Sequence, residues 1–132
     1  VEKAIKHDKG KLRYDLVPPD ALNELAHVYT YGASKYTDRN WEKGMDYGRV
    51  FAAIQRHLWA FWSGEELDKE SNLHHLAHAA WGCLTLLSYS IRRVGEDDRV
   101  KTITSRPKEV IPRLLRKENN ENSENQLQDK HS

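Results

Sequence analysis

Apolar residues recur at three- and four-residue steps over three long stretches of this chain, the spacing of amphipathic helices. The first stretch follows Pro18 and Pro19. Leu22, Leu25, Ala26, Tyr29, Ala33 and Tyr36 repeat on one side, and Asp20 stands where a helix opens. The turn-rich segment "TDRNWEKGMDYG" (37–48) reads as a loop. A second helix is predicted from near Asp46, with Val50, Phe51, Ile54, His57, Leu58 and Phe61 as its stripe and Gly64 at its end. An acidic connection, 65–70, follows. Ser71 is the predicted N-cap of a third helix running to about Arg93, whose core stripe is Leu73, Leu76, Ala80, Leu84, Leu87 and Ile91. Arg92 and Arg93 suit its C-terminal dipole.

Residues 1–17 read as an extended basic and aromatic arm. After Gly95 the periodicity weakens. The pattern predicts an all-α domain over 1–100, an arm or short helix over 101–118 and a disordered tail over 119–132. Three amphipathic helices bury poorly alone, so a helical bundle completed by oligomerisation, as a dimer or tetramer, is expected.

Composition sharpens this. The chain has 132 residues, 38% apolar and 31% charged, which fits one domain with a modest core. A net charge of +1 carries no field for nucleic acid or membrane, and neither partner is expected. Cys83 is the single cysteine, so no intrachain disulfide forms, as in a reducing cytoplasm. No signal peptide or membrane-length apolar run is read.

Chemistry concentrates in "SGEELDKESNLHHLAHAAWG" (63–82). Glu65, Glu66, Asp68 and Glu70 crowd four carboxylates into six residues, and His75 and His78 share a helix face just after them. Carboxylate plus imidazole is a ligand set for divalent ions, and a cation would relieve the mutual repulsion. A solvated acidic loop favouring a helix N-terminus is the plainer alternative. Gly82, one turn on, either makes room for a ligand or lets helices pack closely. His57 lies on the second helix's apolar stripe, where a polar group must find a partner. It is read as a ligand or water-orienting group, or else as a satisfied core histidine.

Two segments pair cations with aromatics, as phosphate and base recognition requires. One holds Lys35, Tyr36, Arg39, Asn40 and Trp41. The other is the arm, with Lys9, Lys11, Arg13 and Tyr14. Solvated basic loops are the alternative for both.

"DKGKLRYDLVP", "YGASKY…RNWEKG" and "RHLWAFWSGEELDKESNLHHLAHA" follow in order and resemble the phage and bacterial dATP/dGTP diphosphohydrolase family, over about residues 6–93. That family is MazG-like, an all-α nucleoside triphosphate pyrophosphohydrolase type. The resemblance implies hydrolysis of dGTP, with dATP as a second substrate, to the monophosphate and pyrophosphate, supplying 2-aminoadenine synthesis in a phage. It implies two or more Mg²⁺ or Mn²⁺ ions and a deoxynucleoside triphosphate as the small-molecule partner. His57, Glu65 and Asp68 are the expected catalytic groups, and Glu65, Glu66, Asp68, Glu70, His75 and His78 the expected metal ligands or their supports. The chain departs from the MazG pattern of E-E-x-x-E and E-x-x-D. Its counterparts are Arg56-His57-x-x-Ala60 and His75-x-x-His78.

Two other readings compete. An HD-type triphosphohydrolase also uses histidine and aspartate on helices, but the only adjacent His-Asp pair, His7-Asp8, lies in the arm. A non-catalytic nucleotide-binding module would use only the cation–aromatic segments.

Overall fold

The computed structural model describes residues 1–101, and the fold belongs to the unit Val1–Arg99. It is all-α: helix α1 is Pro19–Lys35, α2 is Tyr47–Trp62 and α3 is His75–Arg92. Short 3-10 turns sit at Tyr14–Leu16 and Asn40–Lys43. Extended pairing among the described residues is limited to two isolated bridges, Asp46 with Glu96 and Leu67 with His74. The expected arm and tail lie outside the described residues, apart from Lys101 at the arm's start.

The antiparallel pair α2–α3 is the centre of the fold, and α1 packs against α3. Tyr47, Val50, Ile54, Ala79 and Tyr89 form the core, with Trp41, Met45, Leu86 and Val94 against it. Gly82 sets the distance between the two helices. A Cβ there would run into Ile54 Cγ1, so close packing, not ligand space, is what this glycine provides.

The core face of α3 differs from the leucine stripe read from the sequence. Its buried residues are His75, Ala77, Ala79, Gly82, Thr85 and Tyr89. Leu76, Leu84, Leu87 and Ile91 are exposed. Small residues let α2 approach, and the approach, not the hydropathy of the stripe, decides which side is covered. On α2 the same correction applies to Phe51 and Leu58, which are exposed, while Tyr47, Val50 and Ile54 are buried. On α1, Leu25 and Val28 are buried, while Leu22, Ala26 and Tyr36 are exposed.

Helix α2 starts one residue after Asp46, whose side chain makes no capping bond. Residues from the far end of the unit supply it instead. The Glu96 carbonyl accepts from Tyr47 N–H at 2.9 Å, and the Asp98 carboxylate accepts from Gly48 N–H at 2.7 Å. The predicted cap of α3 is also displaced. His74, not Ser71, is the N-cap, its Nδ1 accepting from Leu76 N–H at 3.0 Å.

Candidate metal centre

His57 lies on α2, one turn beyond the core residue Ile54, and His75 is the first residue of α3. The helices run antiparallel, so both imidazoles meet at one end of the pair. The connecting loop doubles back on itself. Gly64 and Asn72 take positive φ, +100° and +59°, and Asp68 N–H donates to the Leu73 carbonyl at 2.8 Å. His75 N–H donates to the Glu66 carbonyl at 2.9 Å, which fastens the loop to the start of α3.

This turn sorts the four carboxylates. Asp68 points inward, accepting from Ser71 N–H and Oγ–H at 2.9 Å each. Glu65 Oε1 lies 3.0 Å from His75 Nε2. Glu66 is exposed, and only its carbonyl takes part. Glu70 turns to α1, where Lys35 Nζ donates to it at 2.6 Å and the Tyr31 hydroxyl at 3.1 Å. Donor atoms of His57, Asp68 and His75 all fall within 4.8 Å of one another, the one such three-residue group among the described residues.

The tautomers follow from the partners. An ionised carboxylate only accepts, so His75 carries its proton on Nε2, toward Glu65, and bares Nδ1. That lone pair faces His57 Nδ1 at 2.9 Å. Either a proton or a cation must sit between two such nitrogens. Metal–nitrogen bonds of about 2.1 Å at right angles set two ligating nitrogens about 3.0 Å apart, so the observed spacing fits adjacent ligands of one ion. Glu65 then acts as the outer carboxylate that orients a ligating histidine.

Electrostatics keep the donors in ligand form. Burial, then neighbouring His78, lowers the His57 pKa to about 4, so it is neutral at pH 7. Burial also lowers His78, against the opposing pull of Asp68. For Asp68, burial favours the neutral acid, but the Ser71 backbone and hydroxyl bonds and the two imidazoles more than offset it, holding the carboxyl below its ordinary range. A neutral His57 and an ionised Asp68 need release no proton to bind a cation. An N₂O set with this share of imidazole suits Mn²⁺ and its first-row neighbours better than Mg²⁺.

His78 lies beside this group. Its ring stacks on His57 at 4.5 Å, and its Nε2 is 2.7 Å from Ser71 Oγ. Ser71 and Tyr31, whose ring edge faces His78 at 6.3 Å, were not singled out for this site from the sequence. Tyr31 is one helical turn before Lys35 on the same face, which is the signal that could have found it.

The remaining candidates are dispersed. Lys35 reaches the acidic loop, with Tyr36 beneath its ammonium at 5.6 Å. Arg39 is left-handed at φ +55° and leads into the turn holding Asn40 and Trp41. The Trp41 ring packs on Tyr29 at 6.2 Å and under Arg92 at 5.3 Å, so it is an inner wedge of the fold. In the arm, Arg13 is paired with its neighbour Asp15 at 2.7 Å, and Lys9, Lys11 and Tyr14 are exposed.

An all-α domain that delivers imidazoles and a carboxylate from two helices and their connecting loop to one point is the class that fold and site define. Over residues 1–99 the chain matches the profile of the family described as dATP/dGTP diphosphohydrolase, N-terminal, and it belongs to that family. It is 36% identical over 95 residues to a protein of Salmonella phage PMBT28 named dATP/dGTP diphosphohydrolase. The match covers 72% of this chain and 32% of that protein, so the chain spans about a third of its relative's length. No solved structure matches the chain.

Proposed function

We propose that this chain carries the metal site of a diphosphohydrolase that cleaves purine deoxynucleoside triphosphates, dGTP and secondarily dATP, to the monophosphate and pyrophosphate. The observation that carries the reading is the convergence of His57, Asp68 and His75 within 4.8 Å. The name of the phage relative supports the substrate class.

His57, Asp68 and His75 would hold a divalent ion, with Mn²⁺ preferred over Mg²⁺ by the donor set. When bound, the ion neutralises phosphate charge and assists attack by water at phosphorus. Glu65 fixes the His75 tautomer. His78, neutral at pH 7 beside Asp68, accepts a proton from the attacking water. Lys35, held by Glu70 2.6 Å away, is placed to exchange that partner for a phosphate oxygen. Glu66 and Glu70 are outside the donor group, and a second ion would draw on substrate oxygens. The arm's Lys9, Lys11, Arg13 and Tyr14 reach substrate across a subunit boundary in a homo-oligomer. The setting is phage nucleotide metabolism in the host cytoplasm, supplying 2-aminoadenine synthesis. No helix among the described residues is long and apolar enough to cross a membrane.

The His-Asp-His donor set also favours a second reading, an HD-type triphosphohydrolase. One experiment separates them: the full chain is incubated with dGTP or dATP and Mn²⁺, and the phosphate product is identified. Pyrophosphate with the nucleoside monophosphate is expected. Intact triphosphate would establish the second reading, and orthophosphate would exclude both.

A further inference from the structure

The hydroxyl of Ser71 stands between two polar side chains of the site. Ser71 Oγ lies 2.9 Å from Asp68 Oδ2 and 2.7 Å from His78 Nε2. Leu73 N–H donates to the same oxygen at 3.2 Å. The loop arranges this meeting. Asn72, left-handed at φ +59°, turns the chain so that Leu73 N–H comes back onto Ser71. Ser71 N–H also donates to Asp68 Oδ2 at 2.9 Å, so the carboxylate is held from the backbone as well. The His78 side chain is 12% exposed and that of Asp68 22%, so water competes little for these bonds.

The donors and acceptors around Ser71 decide where each proton lies. A serine hydroxyl has one proton to give and two lone pairs to fill. Leu73 N–H fills one lone pair. The Asp68 carboxylate, held below its ordinary range, can only accept, and it takes the hydroxyl proton. One lone pair remains, and it faces His78 Nε2. Two lone pairs do not meet at 2.7 Å, so His78 Nε2 carries a proton. The reversed arrangement, with Ser71 donating to His78, would exchange a bond to a carboxylate for a weaker one to a neutral ring. Among the described residues Ser71 is the hydrogen-bond partner of the His78 ring, so the choice of tautomer rests on this one hydroxyl.

We propose that Ser71 is a positioning residue that locks His78 in its Nε2–H tautomer, so that Nδ1 is the nitrogen left to accept the proton of the attacking water. This deepens the role given to His78 in the proposed function, and it rests on that reading for the reaction it serves. The water's O–H bond breaks toward Nδ1 as its oxygen bonds to phosphorus and pyrophosphate leaves. The imidazolium so formed is stabilised through Ser71 by the Asp68 charge, 3.9 Å from Nε2.

The test is nitrogen-15 NMR of the full, metal-free chain at pH 7.5, which separates protonated from bare ring nitrogens. The His78 signals are identified by their loss in His78→Asn. The Nε2–H tautomer is expected in the unaltered chain. Ser71→Ala keeps the backbone bond to Asp68 and should spread His78 over both tautomers. Ser71→Thr keeps a hydroxyl and should restore the single one. With saturating Mn²⁺ and dGTP, Ser71→Ala should lower kcat by roughly tenfold or more and change KM less than about twofold, and Ser71→Thr should recover most of the kcat. An Nδ1–H tautomer in the unaltered chain would overturn the proposal without any variant being made. A Ser71→Ala variant that keeps either the single tautomer or the full kcat would overturn it too. A chain that shows the expected tautomers but hydrolyses no nucleotide would remove the proposed reaction and leave Ser71 as the lock on His78.

Discussion

The two sides of the α2–α3 pair invert the usual relation between polarity and burial. The covered side carries His57, His75, Thr85 and the bare backbone of Gly82. The open side carries Phe51, Trp62, Leu84, Leu87 and Ile91. A single-chain helix pair would do the opposite. Burial on the first side is set by how closely backbones approach, and its imidazoles are partnered by one another and by Glu65, which is the condition for keeping them inside. The second side has area without a cover. The lesson is that the covered side gathers metal-ligating side chains while the open side exposes apolar area, and that hydropathy ranks the two in the wrong order.

The largest expected contrast is in metal binding. His75→Ala removes one of three donors and leaves His57 and Glu65 facing a gap. Mn²⁺ affinity should fall by roughly 100-fold or more, with turnover falling at least as far. Leu84→Ala, on the same helix but the opposite side, should change Mn²⁺ affinity less than twofold. Calorimetric titration with Mn²⁺ compares the two. Equal affinities for His75→Ala and the unaltered chain would remove His75 from the site.

A smaller contrast is in packing. Gly82→Ala should gain about 1 kcal/mol of helix propensity and lose more by forcing a methyl group onto Ile54, for a net loss of about 1–2 kcal/mol. At dilutions where any assembly has dissociated, Leu84→Ala should cost under about 0.5 kcal/mol. Urea unfolding of the two variants measures this. Adding Ile54→Ala to Gly82→Ala should cost less than Ile54→Ala alone, because the new methyl group fills part of the space. A stabilised Gly82→Ala would show that the helices are not in tight contact.

These contrasts mark what the sequence could and could not tell. Helix existence was legible, because three-four periodicity and the punctuation of Pro19 and Gly64 are local signals. Which side of α3 faces inward was not. Leu76, Leu84 and Leu87 outweigh Ala79 and Gly82 on any hydropathy count, yet only the small residues admit α2. Placing His75 and His78 on one helix face needed only helical spacing. Bringing Asp68 to the imidazoles while turning Glu70 toward Lys35 needed the left-handed turn at Asn72 and the loop closure on Leu73, which no residue pattern displays. Ser71 was read as a cap because serine before a helix usually is one. Here its hydroxyl lies 2.9 Å from Asp68 and 2.7 Å from His78, and the cap falls to His74.

The smallest contrast is in pH. The metal-free chain holds His57 neutral down to about pH 4, against an ordinary value of 6.5, and His78 shifts the same way. Between those limits the unfolded chain binds more protons than the folded one, so stability rises with pH across the window. It is complete above about 6.5 and declines as pH falls toward 4. His57, kept neutral, should lower stability by about 1 kcal/mol between pH 6.5 and 5.5. Carboxylates contribute a decline of their own at lower pH, so the difference between the unaltered chain and His57→Asn isolates the effect. Urea midpoints at pH 7.5, 6.5 and 5.5 should converge for the two proteins as pH falls. Saturating Mn²⁺ should steepen the decline in the unaltered chain, because protons then compete with the ion for the same nitrogens. Parallel midpoints across the range would mean that His57 takes up its proton as readily folded as unfolded. The buried side would then be more open to water than its geometry indicates.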